Sequence, residues 1–413
     1  MEANGGPVWI NRDYVLLWTG QVVSTVGSQM SLLAYPLLAL DLTGSPARAG
    51  LVGTVATATR LAFRLPAGAL VDRWDRRRTM LGCDLLRGLV LAGVAVGVAL
   101  DRLPFGWLLV AAFVEAAATV FFLPAETAAL RRIVPREQLP LAFSQNEARH
   151  HGATLAGPPL GGLLYGIGRA LPFVGDFLTY VTSFTAVFLI RTPMTVDRGP
   201  AGSTRLLADI REGLVWTWQQ TLLRTLLITA AGINLVFSGL TLAVVLAARE
   251  SGARPSTVGL MLGIASIGGV LGAIAAPLIQ RRGRPPVVIL TIFWISAGLI
   301  PVMAIRPSVW VIAPALAAMI FLSPAANTIL LAYQVAVTPD RLQGRVISAL
   351  LLIGTVFNPI APIGVGVITQ AAGSRAALAA LAAVMVVVAI GTSLSRGVRD
   401  MPELTEAHAE DDG

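Results

Sequence analysis

The sequence predicts an all-α integral membrane protein with twelve transmembrane helices in two pseudo-symmetric six-helix bundles. Three observations predict it: an apolar composition poor in charge, apolar runs long enough to cross a bilayer, and short motifs that recur at a nearly constant offset. Of 413 residues, 55% are hydrophobic and only 13% charged, which leaves too little polar surface for a water-soluble chain of this size. Without water in the hydrocarbon region backbone groups must pair internally, so the spans are helices or a closed barrel. The runs at 14–40 and 309–335 exceed the ~20 apolar residues that a crossing needs, and they lack the alternation of barrel strands. The N-terminal residues hold no basic stretch leading into a short apolar region, so no signal peptide is expected.

The first six spans are expected at 14–40, 49–71, 79–100, 105–130, 144–168 and 171–190, and the second six at 223–248, 257–279, 286–305, 308–335, 345–371 and 375–395. This gives an N-terminal bundle over 1–190, a cytoplasmic linker over 191–222, a C-terminal bundle over 223–395 and a disordered acidic tail over 396–413. Within the linker, Leu207, Ile210, Leu214 and Trp218 recur at helical spacing among Asp209, Arg211 and Glu212, the pattern of an amphipathic surface helix.

The repeats justify the two halves. Pro46-Ala-Arg-Ala-Gly-Leu51 recurs as Pro255-Ser-Thr-Val-Gly-Leu260, 209 residues later. Gly68-Ala-Leu-Val-Asp-Arg73 aligns with Ala276-Pro-Leu-Ile-Gln-Arg281, and Gly157-Pro158 with Ala361-Pro362. Matches in order argue for duplication of a six-span half.

All 31 basic residues are arginine, and the formal charge is +8. Most of them fall on one alternate set of loops, the positive-inside bias, which puts both termini in the cytoplasm and predicts a multi-pass protein of the cytoplasmic (inner) membrane. No basic patch is interleaved with groove-fitting elements, so nucleic acid is not expected as a partner. The expected partners are the bilayer and a small molecule, with the monomer as the working unit. A lone cysteine, Cys83, excludes an intrachain disulfide and a cysteine metal cluster. A chain without lysine has no nucleotide-binding loop of the Gly-x-x-x-x-Gly-Lys type. The three histidines include none placed for hydrolysis inside the membrane, so no enzyme is expected.

Ionisable groups inside membrane helices are expensive and mark function. Arg60 and Arg64 lie one turn apart on the second span and Glu115 in the outer half of the fourth; facing one cavity, they would favour an anionic substrate or hold a titrating carboxylate. Glu115 is the first choice for the proton-carrying group, with Asp41 and Glu126 behind it. Asp176 reads as a carboxylate in the first turn of the sixth span, stabilised by the helix N-terminus. His150 and His151 read as solvated residues at the cytoplasmic start of the fifth.

Gly68-Ala-Leu-Val-Asp72-Arg73-Trp-Asp75-Arg76-Arg77-Arg78 resembles the cytoplasmic loop motif of the major facilitator superfamily. Gly68 would admit a close neighbour, and Asp72 would latch onto a facing arginine or helix N-terminus in one conformation only. Two departures stand out: Asp75 replaces a glycine, and Gln280 stands where a second Asp72 would be. Gly157-Pro158-Pro159-Leu160-Gly161-Gly162 resembles the Gly-Pro-x-x-Gly-Gly motif of exporters in that superfamily, where proline and glycines let the helix bend. With Asp84 and Arg87 in the third span, Val134-Pro135-Arg-Glu-Gln-Leu139 and Pro339-Asp-Arg-Leu-Gln-Gly344-Arg345-Val346, the chain resembles the branch that includes the enterobactin exporter and macrolide efflux proteins. The resemblance implies the major facilitator fold and export of small amphipathic molecules by proton antiport, with a proton gradient in place of any cofactor. Import on the same scaffold is the alternative, and a non-transporting sensor a remote one.

Overall fold

The computed structural model describes residues 8–194, 206–282 and 284–399, which are helical throughout with no strand among them. In order the helices are α1 (Arg12–Thr43), α2 (Pro46–Val71), α3 (Arg76–Ala99), α4 (Phe105–Ile133), α5 (Leu139–Ile167), α6 (Leu171–Leu189), α7 (Leu206–Gln219), α8 (Thr221–Glu250), α9 (Pro255–Arg282), α10 (Pro285–Ile305), α11 (Val309–Val337), α12 (Gln343–Gly354), α13 (Ile360–Leu394) and α14 (Arg396–Arg399). Among the described residues nine helices are long and apolar enough to cross a membrane: α1, α3, α4, α6, α8, α9, α10, α11 and α13. The other two long helices, α2 and α5, carry Arg60 and Arg64, and Glu147 to His151, which lower their apolar character. The acidic residues expected in the tail, Glu403 to Asp412, and residues 195–205 of the linker lie outside the described residues.

Two compact units emerge, Met1–Pro200 with Arg254–Gly263, and Ala201–Ala253 with Ile264–Gly413, so the division runs through α9. In the first, α1 packs on α5, α6 and α2, α3 on α4 and α6, and α2 on α4. One end of this unit is a dry cluster in which Tyr14, Val71, Met80, Cys83, Phe122, Leu130 and Val187 are buried together. In the second, α13 packs on α8 and α10, α10 on α11, and α7 on α12.

Local chemistry sets the ends. Asn11 caps α1 by accepting from the amides of Asp13 and Tyr14. Ser45 caps α2, with Pro46 at its first position. Asp75 caps α3, its Oδ1 accepting from the Arg78 amide at 2.8 Å, which explains an acid where the resembling motif has glycine. The run expected as one span over 345–371 is interrupted: α12 ends at Gly354 and α13 starts at Ile360. Pro359 and Pro362 remove amide donors and crowd the preceding turn, and the Asn358 carbonyl instead accepts from Ser238 Oγ of α8 at 3.1 Å. Within α13, Gly373 sits at φ +83°, a break between two helical stretches; the second begins at Ser374, whose amide and hydroxyl both donate to Glu250 Oε2 at 3.0 and 2.5 Å.

Candidate functional site

The structure divides the residues expected to share a cavity. Arg60 on α2 is exposed and acts electrostatically on half-buried Glu115 of α4, so this pair is brought together. Arg64 is also exposed, one turn further along α2. Between them Phe63 stands against Phe113 and Phe121, ring centroids 6.0 and 5.9 Å away, and Trp74 stacks on Phe121. The α2–α4 seam therefore holds the Arg60–Glu115 pair and a cluster of aromatic rings.

Two other expected members are placed elsewhere. Asp41, near the end of α1, accepts from the Tyr165 hydroxyl at 2.9 Å and lies 3.6 Å from Arg169 Nε. Glu126 is buried in an ion pair with Arg149 of α5 at 2.7 Å, both side chains over 90% buried. Each of these acids therefore has its own partners away from Glu115. The reading of Asp176 is corrected. Because α6 starts at Leu171, Asp176 falls past the first turn, where no amide is left free for it, and it is fully buried in the helix packing.

Around it lies a polar network that spacing alone does not reveal. Asp84 on α3 is 1% exposed and accepts from Ser183 Oγ of α6 at 2.6 Å, while Gln21 of α1 donates to the same Ser183 at 2.7 Å. Arg87, one turn beyond Asp84, lies 5.3 Å from the ring centres of both Phe122 and Tyr180. The Tyr180 hydroxyl meets Glu115 Oε1 at 3.3 Å and Ser28 Oγ at 2.9 Å. Thr179 Oγ1 donates to Asp176 Oδ1 at 3.1 Å. Glycine makes the room: a Cβ on Gly27 of α1 would lie 2.5 Å from Asp176 Oδ1. The signal available in the sequence was four ionisable side chains inside apolar runs; which helix faces meet, with Asp84 and Ser183 separated by 99 residues, was not legible.

The loop from Gly68 to Arg78 shows one departure from expectation. Gly68 has open space where a Cβ would stand, so it admits no close neighbour here; its carbonyl closes the last turn of α2 by accepting from the Asp72 amide. Asp72, Arg73 and Arg78 are exposed and Arg76 is half-buried. Arg77 binds the carbonyl of Phe188 at the end of α6 and lies 5.6 Å from its ring. In α5 the helix continues unbroken through Pro158 and Pro159, and its glycines are seats for neighbouring backbones. A Cβ on Gly161 would lie 2.6 Å from the Met30 carbonyl oxygen of α1, one on Gly157 2.3 Å from Gln29 Cβ, and one on Gly162 2.9 Å from Gly259 Cα at the start of α9.

Nine long apolar helices among the described residues, with few ionisable groups inside them, define a polytopic membrane protein. The profile of the transmembrane secretion effector family, a branch of the major facilitator superfamily, matches residues 9–410, and the chain belongs to that family of transporters rather than to the enzymes. It is 28% identical over 393 residues to the multidrug efflux pump Tap of Mycolicibacterium fortuitum, covering 91% of this chain and 94% of that one. It is also 27% identical over 210 residues to macrolide efflux protein A of Streptococcus pyogenes, about half of each chain. Among solved structures, a bacterial homologue of the iron transporter ferroportin aligns with TM-score 0.74 at 14% identity over 92% of this chain and 98% of that one. A bacterial homologue of the human lysosomal transporter Spinster aligns with TM-score 0.69 at 16% identity over 98% of this chain and 99% of the other. These likenesses establish the major facilitator fold.

Proposed function

We propose that this chain is a secondary transporter that exports small amphipathic molecules from the cell by proton antiport with alternating access. The observation that carries the reading is the near full-length similarity to a multidrug efflux pump. The α2–α4 seam supports the substrate class, because a guanidinium–carboxyl pair beside a cluster of aromatic rings suits a molecule with both apolar and polar parts. The glycine seats of α5 support an exporter-type packing seam, and the loop at Gly68, Asp72, Arg73, Arg76, Arg77 and Arg78 is its cytoplasmic gate.

The topology belongs to the same reading. Helices α1–α6 and α8–α11 give ten crossings; α12 with the first stretch of α13 gives a broken eleventh, and the stretch after Gly373 the twelfth. The halves form two six-helix bundles joined by α7, with both termini in the cytoplasm and the protein in the inner membrane as a monomer.

The test uses inside-out membrane vesicles and a radiolabelled macrolide. Acidifying the vesicle lumen drives uptake in the export direction, and collapsing the pH gradient with an ionophore abolishes it. Uptake that persists without the gradient, or that runs outward down the proton gradient as symport, overturns the antiport reading.

A further inference from the structure

Three carboxyls, Asp84, Glu115 and Asp176, surround one buried cation, Arg87, and each acts electrostatically on at least one other member of the group. They come from three helices: Asp84 and Arg87 from α3, Glu115 from α4, Asp176 from α6. The other titratable and charged groups facing them are Tyr180 of α6, Tyr35 of α1, Cys83 of α3 toward Arg87 and Asp84, Arg60 of α2 toward Glu115, and Glu126 of α4 toward Asp84. Glu126 is already neutralised by Arg149. Two guanidiniums, Arg87 within the group and Arg60 at its Glu115 end, cannot compensate three carboxylates in a medium that screens poorly, so the remaining charge must be met by a bound cation.

Unfilled polar atoms point to where it binds. Asp84 Oδ1, Asp176 Oδ2, Ser31 Oγ, the Tyr35 hydroxyl and Arg87 Nε are buried and make no hydrogen bond. Their residues are between 0 and 6% exposed. Ser31 faces Asp176 and Tyr35 faces Glu115. A site with acceptors and donors both unsatisfied fits a proton on a carboxyl, which turns an acceptor oxygen into a donor. The described residues include no group of three or more His, Cys, Asp and Glu side chains placed to hold a metal ion.

The network also has a direction. Glu115 is half-buried and next to exposed Arg60, whereas Asp176 is 0% exposed, and the Tyr180 hydroxyl and Ser28 stand between α4 and α1 on the way inward. We propose that Asp176, with Glu115 and Asp84, is the site that takes up and releases the exchanged proton, with Arg87 as its fixed counter-charge and Glu115 as its accessible end. Uptake converts a carboxylate and a hydronium ion into a neutral carboxyl and water; release reverses it. The assignment rests on the antiport reading and specifies its coupling site.

Infrared titration of the purified full-length protein reads the site without any substrate. The wild type is expected to show a protonated-carboxyl band that disappears as the pH is raised. Asp176→Asn should remove most of that band, and Glu115→Gln and Gly27→Ala should move its midpoint. In proteoliposomes Asp176→Asn should lose roughly ten-fold or more of macrolide accumulation driven by a pH gradient while keeping gradient-free macrolide exchange. The proposal is overturned by a wild type without a titrating band, by a band unaltered in Asp176→Asn, Asp84→Asn and Glu115→Gln, or by a band that vanishes when sodium replaces choline at fixed pH. Should Asp176→Asn not elute as a single species, an unmoved midpoint in Glu115→Gln overturns it. A titrating band in a protein that moves no macrolide would sink the export reading and leave the proton site standing.

Discussion

At the scale of single residues, Glu126 and Arg149 show how a membrane-embedded charge can be structural. The pair is closed at 2.7 Å and buried from both sides, so removing one member strands the other without water. Glu126→Ala is expected to cost about 3–5 kcal/mol, whereas the double replacement Glu126→Met with Arg149→Met should be close to neutral. Thermal melting in detergent checks this: a large fall for the single variant and recovery in the double one. Equal melting of all three proteins would show that the pair does not hold α4 to α5. In the sequence, Glu126, Asp41 and Glu115 look alike, each an acid in an apolar run. Only the packing of partners such as Arg149 and Tyr165 separates them, because a residue more than a hundred positions away, as Tyr165 is from Asp41, leaves no local trace. Asp176 was misread for a different reason: α6 begins at Leu171 as expected, but the sixth residue of a helix already lies beyond the turn whose amides are free, so the acid is buried rather than capping.

Individual helices were legible where the apolar run was decisive. The expected spans at 14–40 and 105–130 fall within α1 and α4, and the amphipathic helix expected around Leu207 to Trp218 is α7, docked on α12 through Gly213 against Arg345 and a Glu212–Arg345 pair at 2.6 Å. The break at 355–359 was not read, because its residues are apolar enough to continue a span; Pro359 and Pro362 decide it. Gly373 makes a sharper prediction. At φ +83° it has open space around a would-be Cβ, so the cost of a side chain there is backbone strain alone. Gly373→Ala should destabilise by about 1–2 kcal/mol. Glu250→Ala, which uncaps Ser374, should cost about 1 kcal/mol more. Gly391→Ala, also in open space but at ordinary helical geometry, should be neutral or slightly stabilising. The three melting temperatures falling in any other order would count against the break.

For the whole molecule, the duplication predicts inequality as much as symmetry. Asp41 and Glu250 stand at repeat-related positions, 209 residues apart, and each ties the end of its half's first helix to a later one, through Tyr165 and Ser374. The loop from Gly68 to Arg78, proposed as the gate, lacks that equivalence. Asp72 ends α2 with an exposed carboxylate, while its counterpart Gln280 gives a long 3.4 Å bond to the Ala325 carbonyl of α11. A latch that forms in only one state contributes only the difference in free energy between states, typically about 1–3 kcal/mol. Asp72→Asn keeps the shape and removes the charge, so it should lower gradient-driven efflux by roughly 5- to 150-fold while leaving melting unchanged. Gln280→Ala loses a marginal neutral bond and should stay within about two-fold of the wild type. Initial rates in inside-out vesicles at matched protein content separate the two. If both variants transport equally, the acid in the first half is only a helix end, and gating is shared evenly between the repeats.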